Sequence, residues 1–285
     1  MIKEITHDYS TGVSNELIAT TKQESDYLNK VESSHSPDEY VDMKHAPSCG
    51  SSQFSQLLKQ LPKTPLKILD VGVGGGQSTI YLASLGHNVS CIEPSATFCN
   101  VIETAAKKFL LNINIYRGVA EDMINIEDGD FDIIFFNASF HHVDEPLQCL
   151  ANAYTLLKDG GYIMLASESF LRFYNSKKHW QYLLENYPDR IGHYGGNEHV
   201  YYNWEYCDFL KKSNFKNVRC EPTAFMYSPV EHIENILNVG VVRGQFAILS
   251  RFLFYMTTAF LFRNRTVFNF FSKISLVGCN FVANK

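Results

Sequence analysis

Short apolar runs alternate with amphipathic stretches through the middle of the chain. Residues 66–71, 88–93, 113–117, 131–136 and 161–166 have the length and apolar content of strands. Residues 77–85, 96–109 and 146–157 carry a helical period between them. Strands divided by helices call for a parallel sheet covered on both faces, which is why the strands themselves alternate little. Gly86-His87 and Asp159-Gly160-Gly161 punctuate the pattern as turns. Beyond 166 the pattern loosens; a helix at 204–213 and strands at 218–225 and 275–283 complete a seven-stranded expectation.

The flanks read differently. Residues 1–62 are polar with short helical patterns closed by Pro62 and Pro65, and are expected to form an N-terminal helical lid. The main domain then spans 63–285, with an aromatic insertion at 170–204 and an apolar helical insertion at 226–274. Within the latter, residues 244–262 are long enough to raise a membrane question. Arg251 interrupts the stretch, and a spanning helix would carry the last strand away from its sheet. Two readings remain. Phe246, Leu249, Leu253, Met256 and Phe260 form a stripe that packs on the domain or on a second copy as a homodimer. Alternatively, 244–274, with Arg243, Arg263, Arg265 and Lys273 at its rim, rests against a membrane surface. Packing is the favoured reading.

Composition narrows the class. Hydrophobic residues make 45% of the chain and charged ones 19%, as in a globular protein. A net charge of −5 argues against a nucleic-acid partner. The seven cysteines are scattered without C-x-x-C spacing, and the first eight residues hold no apolar leader. A cytoplasmic setting is expected, with membrane association under the second reading above.

Chemistry enters at Ile68-Leu-Asp-Val-Gly-Val-Gly-Gly-Gly-Gln77, where a strand runs into a helix through a glycine turn. Such a turn lets a ligand approach the backbone at the carboxyl edge of a sheet. Dinucleotides and S-adenosylmethionine both use it. The dinucleotide fingerprint needs a small residue where Gln77 stands. Asp70 would repel a pyrophosphate but suits a ligand carrying an ammonium and a sulfonium. Glu93, at the end of the next strand, is placed to accept from a ribose diol.

Together with Cys91-Ile-Glu-Pro94, Gly118-Val-Ala-Glu-Asp122, Phe131-Asp-Ile-Ile-Phe135, Phe140-His-His-Val143 and Leu157-Lys-Asp-Gly-Gly161, these residues resemble the class I S-adenosylmethionine-dependent methyltransferases. The resemblance covers about 66–167 and implies a Rossmann-like α/β fold. It implies S-adenosyl-L-methionine as cofactor, with Asp70, Gly72, Gly74 and Gly76 at its methionine part and Glu93 at its ribose. It also implies that Ala120 and Glu121 meet the adenine. The family often has an acidic residue where this chain has Val119, so Glu121, Asp122 or backbone alone takes that contact. Asn137, at a strand end, is expected to line the cofactor pocket.

Methyl transfer to a hydroxyl needs alignment and removal of a proton. His142 and His141 follow a strand directly, and His199 lies in Asn197-Glu-His-Val-Tyr-Tyr-Asn-Trp204, which is similar to acceptor loops of small-molecule and glycan methyltransferases. All three are candidate bases, with His142 favoured; a scaffolding role is open for His141 and His142, and an acceptor-orienting or plain surface-loop role for His199. Tyr194, Tyr201, Tyr202, Trp204 and Tyr206 suit stacking on a sugar or ring, or simple packing. Lys44 and His45 are weaker candidates on the lid. No metal-ligand spacing joins His45, His141, His142, His199, Glu198 and Asp144, so no metal is expected. The expected activity is O-methylation of a sugar or glycan precursor. A lipid-carried or prenylated ring acceptor, a nicotinamide-dependent oxidoreductase and a catalytically silent cofactor-binding partner stand as alternatives.

Overall fold

The computed structural model describes residues 2–5, 65–187, 197–222, 264–276 and 278–285. Most of the expected lid, with Lys44 and His45, lies outside the described residues, as do 226–263 of the apolar insertion and Tyr194.

Strands β2 (Lys67–Val71), β3 (Asn88–Glu93), β4 (Ile113–Arg117), β5 (Phe131–Asn137) and β6 (Leu157–Ala166) run parallel. They are joined through helices α1 (Gln77–Ser84), α2 (Ala96–Lys108) and α3 (Pro146–Leu156). With β1 (Ile2–Glu4), β9 (Lys216–Pro222) and β10 (Cys279–Asn284), they form an eight-stranded sheet among the described residues. Its order is β1-β4-β3-β2-β5-β6-β10-β9, with β10 antiparallel to both neighbours. The α/β expectation is met with one strand more than the sequence suggested.

The alternation of strand side chains divides the core. Ile68 and Cys91 face α1 and α2, packing with Ile80, Leu82, Ile102 and Ala105. Leu69, Val71 and Phe136 face the other way, onto Cys149, Leu150 and Ala153 of α3. Tyr206 and Leu210 of α5 (Asn203–Lys212) and Phe268 of α6 (Arg265–Lys273) extend this second layer. Local signals start the helices where the sequence places them. Ser95 Oγ accepts from the Phe98 amide at 3.2 Å, and Pro146 stands in the first turn of α3, where its missing N–H costs nothing.

Four features depart from the sequence reading. Ile2–Glu4 is a strand, not the start of a helical lid. It lies parallel on β4, and the Ile5 amide donates to the Arg117 carbonyl at 2.8 Å. Ile5 is buried because Gly118 leaves room for it: a Cβ there would stand 2.7 Å from Ile5 Cβ. Strand β6 begins four residues early, at Leu157, through a register shift against β5. The aromatic insertion contains a parallel two-stranded pairing of β7 (Phe170–Leu171) with β8 (Tyr201–Tyr202), and α4 (Lys177–Asn186) between them. The last strand starts at Cys279 rather than 275. Ser275 instead serves a turn, its hydroxyl bonding the Leu171 carbonyl and receiving the Asn203 amide.

After β4 the chain crosses from one side of β2 to the other to form β5. That reversal opens a crevice at the carboxyl ends of β2 and β5, the place where open α/β sheets bind ligands.

Candidate active site

The glycine turn lines that crevice. Gly72, Gly74 and Gly76 all have positive φ, at 69°, 51° and 75°. A Cβ on Gly72 would stand 2.6 Å from Ser139 Cβ, and one on Gly76 2.4 Å from Ile102 Cγ1. These two glycines let α2 and the loop after β5 close on the turn. Gly74 differs: a Cβ there meets nothing within 4 Å, so its outer side faces open space. Behind it, the Gly74 amide donates to Glu93 Oε2 at 2.7 Å while Glu93 Oε1 accepts from the Ser95 amide at 3.0 Å. Each carboxylate oxygen has two lone pairs, so this bracing is compatible with accepting a ribose hydroxyl as well.

Asp70 lies beneath the turn rather than at its lip. It is 1% exposed, and its Oδ2 accepts from Thr79 Oγ1 at 2.7 Å. Burial pushes its carboxyl up to about 7; the Thr79 hydroxyl opposes that shift and the nearby Glu93 charge adds to it. A group so placed gains from a cation arriving above it. Asn137, at the end of β5, donates from Nδ2 to Ser78 Oγ at 3.3 Å, while its buried Oδ1 has no hydrogen-bond partner. A buried acceptor left unsatisfied costs free energy until a donor reaches it. An ammonium at the turn would supply one. Open space at Gly74, an orphaned acceptor at Asn137 and braced carboxylates at Glu93 and Asp70 fit the methionine and ribose parts of S-adenosylmethionine.

Ala120 and Glu121 sit in a 3-10 turn, Ala120–Asn125. The Glu121 carboxylate accepts from the Asp144 amide at 2.7 Å and the Glu145 amide at 3.4 Å, so its side chain turns toward the start of α3. Burial raises its pKa. Asp122, one residue on, is buried in the same turn.

The three histidines, up to 58 residues apart in sequence, converge. The His199 amide donates to the His141 carbonyl at 2.8 Å, and the His141 and His142 rings lie 4.3 Å apart between centroids. His142 Nδ1 lies 2.6 Å from the Asn197 carbonyl, and Asn197 Nδ2 donates back to the His142 carbonyl at 2.8 Å. Burial, then neighbouring His141, holds the His142 imidazole down at about 4. His199 Nε2 lies 3.3 Å from Asp144 Oδ1, and its ring stacks on Tyr201. Its side chain is 36% exposed against 7% for His141. Tyr202 and Trp204 stack at 4.2 Å beside this cluster's strand.

The sequence did not single out Glu168. It is buried just past β6, and its carboxylate accepts from the amides of Ser139, Phe140 and His141 at 3.2, 3.1 and 3.0 Å. It also meets His141 Nδ1 at 2.7 Å. One carboxylate thus fixes the whole histidine loop. The only sequence sign was a carboxylate next to the end of a predicted strand.

Residues 69–165 match the family described as a methyltransferase domain. A ubiquinone biosynthesis O-methyltransferase of Colwellia psychrerythraea is 32% identical over 102 residues, 36% of this chain and 42% of that protein. A tRNA 5-carboxymethoxyuridine methyltransferase of Escherichia coli is 28% identical over 125 residues, 43% and 46% of the two chains. The chain thus spans under half the length of these curated relatives. Among solved structures, a Galdieria sulphuraria protein proposed to be a sarcosine dimethylglycine methyltransferase aligns with a TM-score of 0.53 at 16% identity, over 82% of this chain and 83% of that one. A Haemonchus contortus phosphoethanolamine N-methyltransferase 2 in complex with S-adenosyl-L-methionine aligns with a TM-score of 0.51 at 17% identity, over 89% and 61%. At such identities these two speak for the fold. Residues 69–165 are a methyltransferase domain of the class I, S-adenosylmethionine-dependent type.

Proposed function

We propose that this chain transfers a methyl group from S-adenosylmethionine to a hydroxyl oxygen of a small molecule, with a sugar or glycan precursor as acceptor. The observation that carries the cofactor is the pairing of open space at Gly74 with the unsatisfied Oδ1 of Asn137 at the same sheet edge. When bound, the cofactor supplies a methyl group activated by its sulfonium. Asn137 and Asp70 would receive its ammonium, and Glu93 its ribose.

Of the three histidines, His199 suits the base best. His142 is held too acidic to take a proton near neutrality, and His141 is nearly closed off. Asp144 accepts from His199 Nε2–H, which leaves the lone pair on Nδ1. That nitrogen would take the proton that the acceptor hydroxyl gives up. Tyr201, Tyr202 and Trp204 offer ring faces for the acceptor. The net charge of −5 favours such an acceptor over RNA.

A second reading, a ring acceptor carried on a lipid, is favoured by the ubiquinone-biosynthesis relative and by Phe270, 60% exposed on α6. Among the described residues no helix is long and apolar enough to cross a membrane. Calorimetry with S-adenosylmethionine, then S-adenosylhomocysteine release with sugar nucleotides and with prenylated hydroxylated rings, separates the readings. His199→Ala is expected to lower turnover about 10²-fold or more with cofactor affinity unchanged. Full activity of that variant would remove His199 as base.

A further inference from the structure

One imidazole nitrogen of His141, one of His142 and a carboxylate oxygen of Glu198 lie within 4.8 Å of one another. The sequence hides this set, because Glu198 comes from a loop more than fifty residues downstream. From this arrangement we infer that His141, His142 and Glu198 bind a divalent first-row transition-metal cation, of the zinc or manganese type rather than magnesium or calcium.

Three observations support the site. The first is tautomer control. His141 Nδ1 lies 2.7 Å from the buried Glu168 carboxylate, and His142 Nδ1 lies 2.6 Å from the Asn197 carbonyl. A carbonyl only accepts and a carboxylate accepts, so both Nδ1 atoms carry the proton. In each neutral ring the lone pair then belongs to Nε2. Ligating histidines are held in this way, by a carboxylate or carbonyl on the far nitrogen.

The second is position. His141 Nε2 lies 3.6 Å from Glu198 Oε2, and both residues are buried. Two ligand atoms each about 2.1 Å from one tetrahedral ion stand about 3.4 Å apart; the His141–Glu198 pair is already near that separation, and the set as a whole, within 4.8 Å, closes by at most about 1.4 Å.

The third is chemistry. Two imidazoles and one carboxylate suit zinc, manganese, iron or cobalt, whereas magnesium and calcium favour all-oxygen sets. Three protein ligands leave coordination positions for another oxygen. The site lies on the loop whose Ser139 packs against Gly72, beside His199, so an acceptor oxygen is the fitting further ligand.

The competing account is a plain His141–Glu198 ion pair, which would bind no cation. A second source of signal is the thiol pair Cys207 and Cys220, whose sulfurs are 3.8 Å apart. The test therefore uses the full chain, stripped with chelator and titrated calorimetrically with Zn²⁺, and separately with Co²⁺ while the visible spectrum is recorded. One equivalent is expected to bind, with a Co²⁺ spectrum free of thiolate charge-transfer bands. Glu198→Gln and Glu168→Gln are each expected to weaken binding about 10- to 100-fold. Cys207→Ser with Cys220→Ser is expected to leave it unchanged. Thermal melting and S-adenosylmethionine affinity of each variant report folding independently of the metal. Absence of saturable binding, or binding that survives Glu198→Gln and disappears in the serine variant, overturns the inference. Either outcome leaves cofactor binding and methyl transfer to stand or fall on their own assays.

Discussion

Replacing Asp70 by Asn tests how this domain uses a buried carboxyl. Asp70 is 1% exposed, and burial raises its pKa from 3.8 to about 7. In the unfolded chain the group loses its proton near its ordinary value. Between these limits the native state holds a proton that the unfolded state has released, so stability falls as pH rises through that window. At 1.36 kcal/mol per unit, full ionisation costs the native state about 4 kcal/mol. Asn cannot ionise, and its amide oxygen can still accept from Thr79 Oγ1. The stability difference between variant and parent should therefore grow in the variant's favour by about 3 kcal/mol from about pH 5 to about pH 8. Urea denaturation of both proteins at matched ionic strength measures it, and other titrating groups cancel in the difference. Parallel stability curves, or a variant weaker than its parent at the higher pH, would refute the argument. The same substitution removes the charge that an arriving ammonium meets. Cofactor affinity of the parent should rise with pH through about 7, and that of Asp70→Asn should be lower and flat.

The glycine turn gives a paired test. Gly76→Ala adds both left-handed strain and a 2.4 Å approach to Ile102, so it should cost about 2 kcal/mol or more in denaturant titrations. Gly74→Ala meets no protein atom, so it should cost only about 1 kcal/mol of backbone strain while weakening S-adenosylmethionine in calorimetry, because its methyl fills the ligand's space. Glu168→Ala strands three backbone donors and the His141 Nδ1–H, and should cost about 3 kcal/mol or more; a melting temperature equal to the parent's would show that water replaces the carboxylate without loss.

The central strands and helices were legible because burial on both sheet faces forces long apolar runs, and the glycine turn because three left-handed positions, two of them with no room for a Cβ, favour glycine. The Ile2–Glu4 strand was not, since three residues carry no measurable period. Asp70, Glu93 and Asn137 could be placed at the right sheet edge from strand ends alone, but the burial of Asp70 and the orphaned Asn137 oxygen depend on Thr79 and Ser78 packing over them. Glu121 was read by position; its turn toward α3 is decided by the amides of Asp144 and Glu145, which sequence spacing does not reveal. Likewise the histidine cluster exists only because the 197–202 segment folds back over the loop after β5.

The pairing of Ile2–Glu4 with β4 has a practical corollary for anyone producing this protein. Without it, β4 would expose a full row of backbone donors and acceptors, an adhesive seam for neighbouring molecules. Trimming the first five residues would therefore lengthen the open sheet edge from the 3 residues of β1 to the 5 of β4 and favour self-association, at the opposite end of the sheet order from β9.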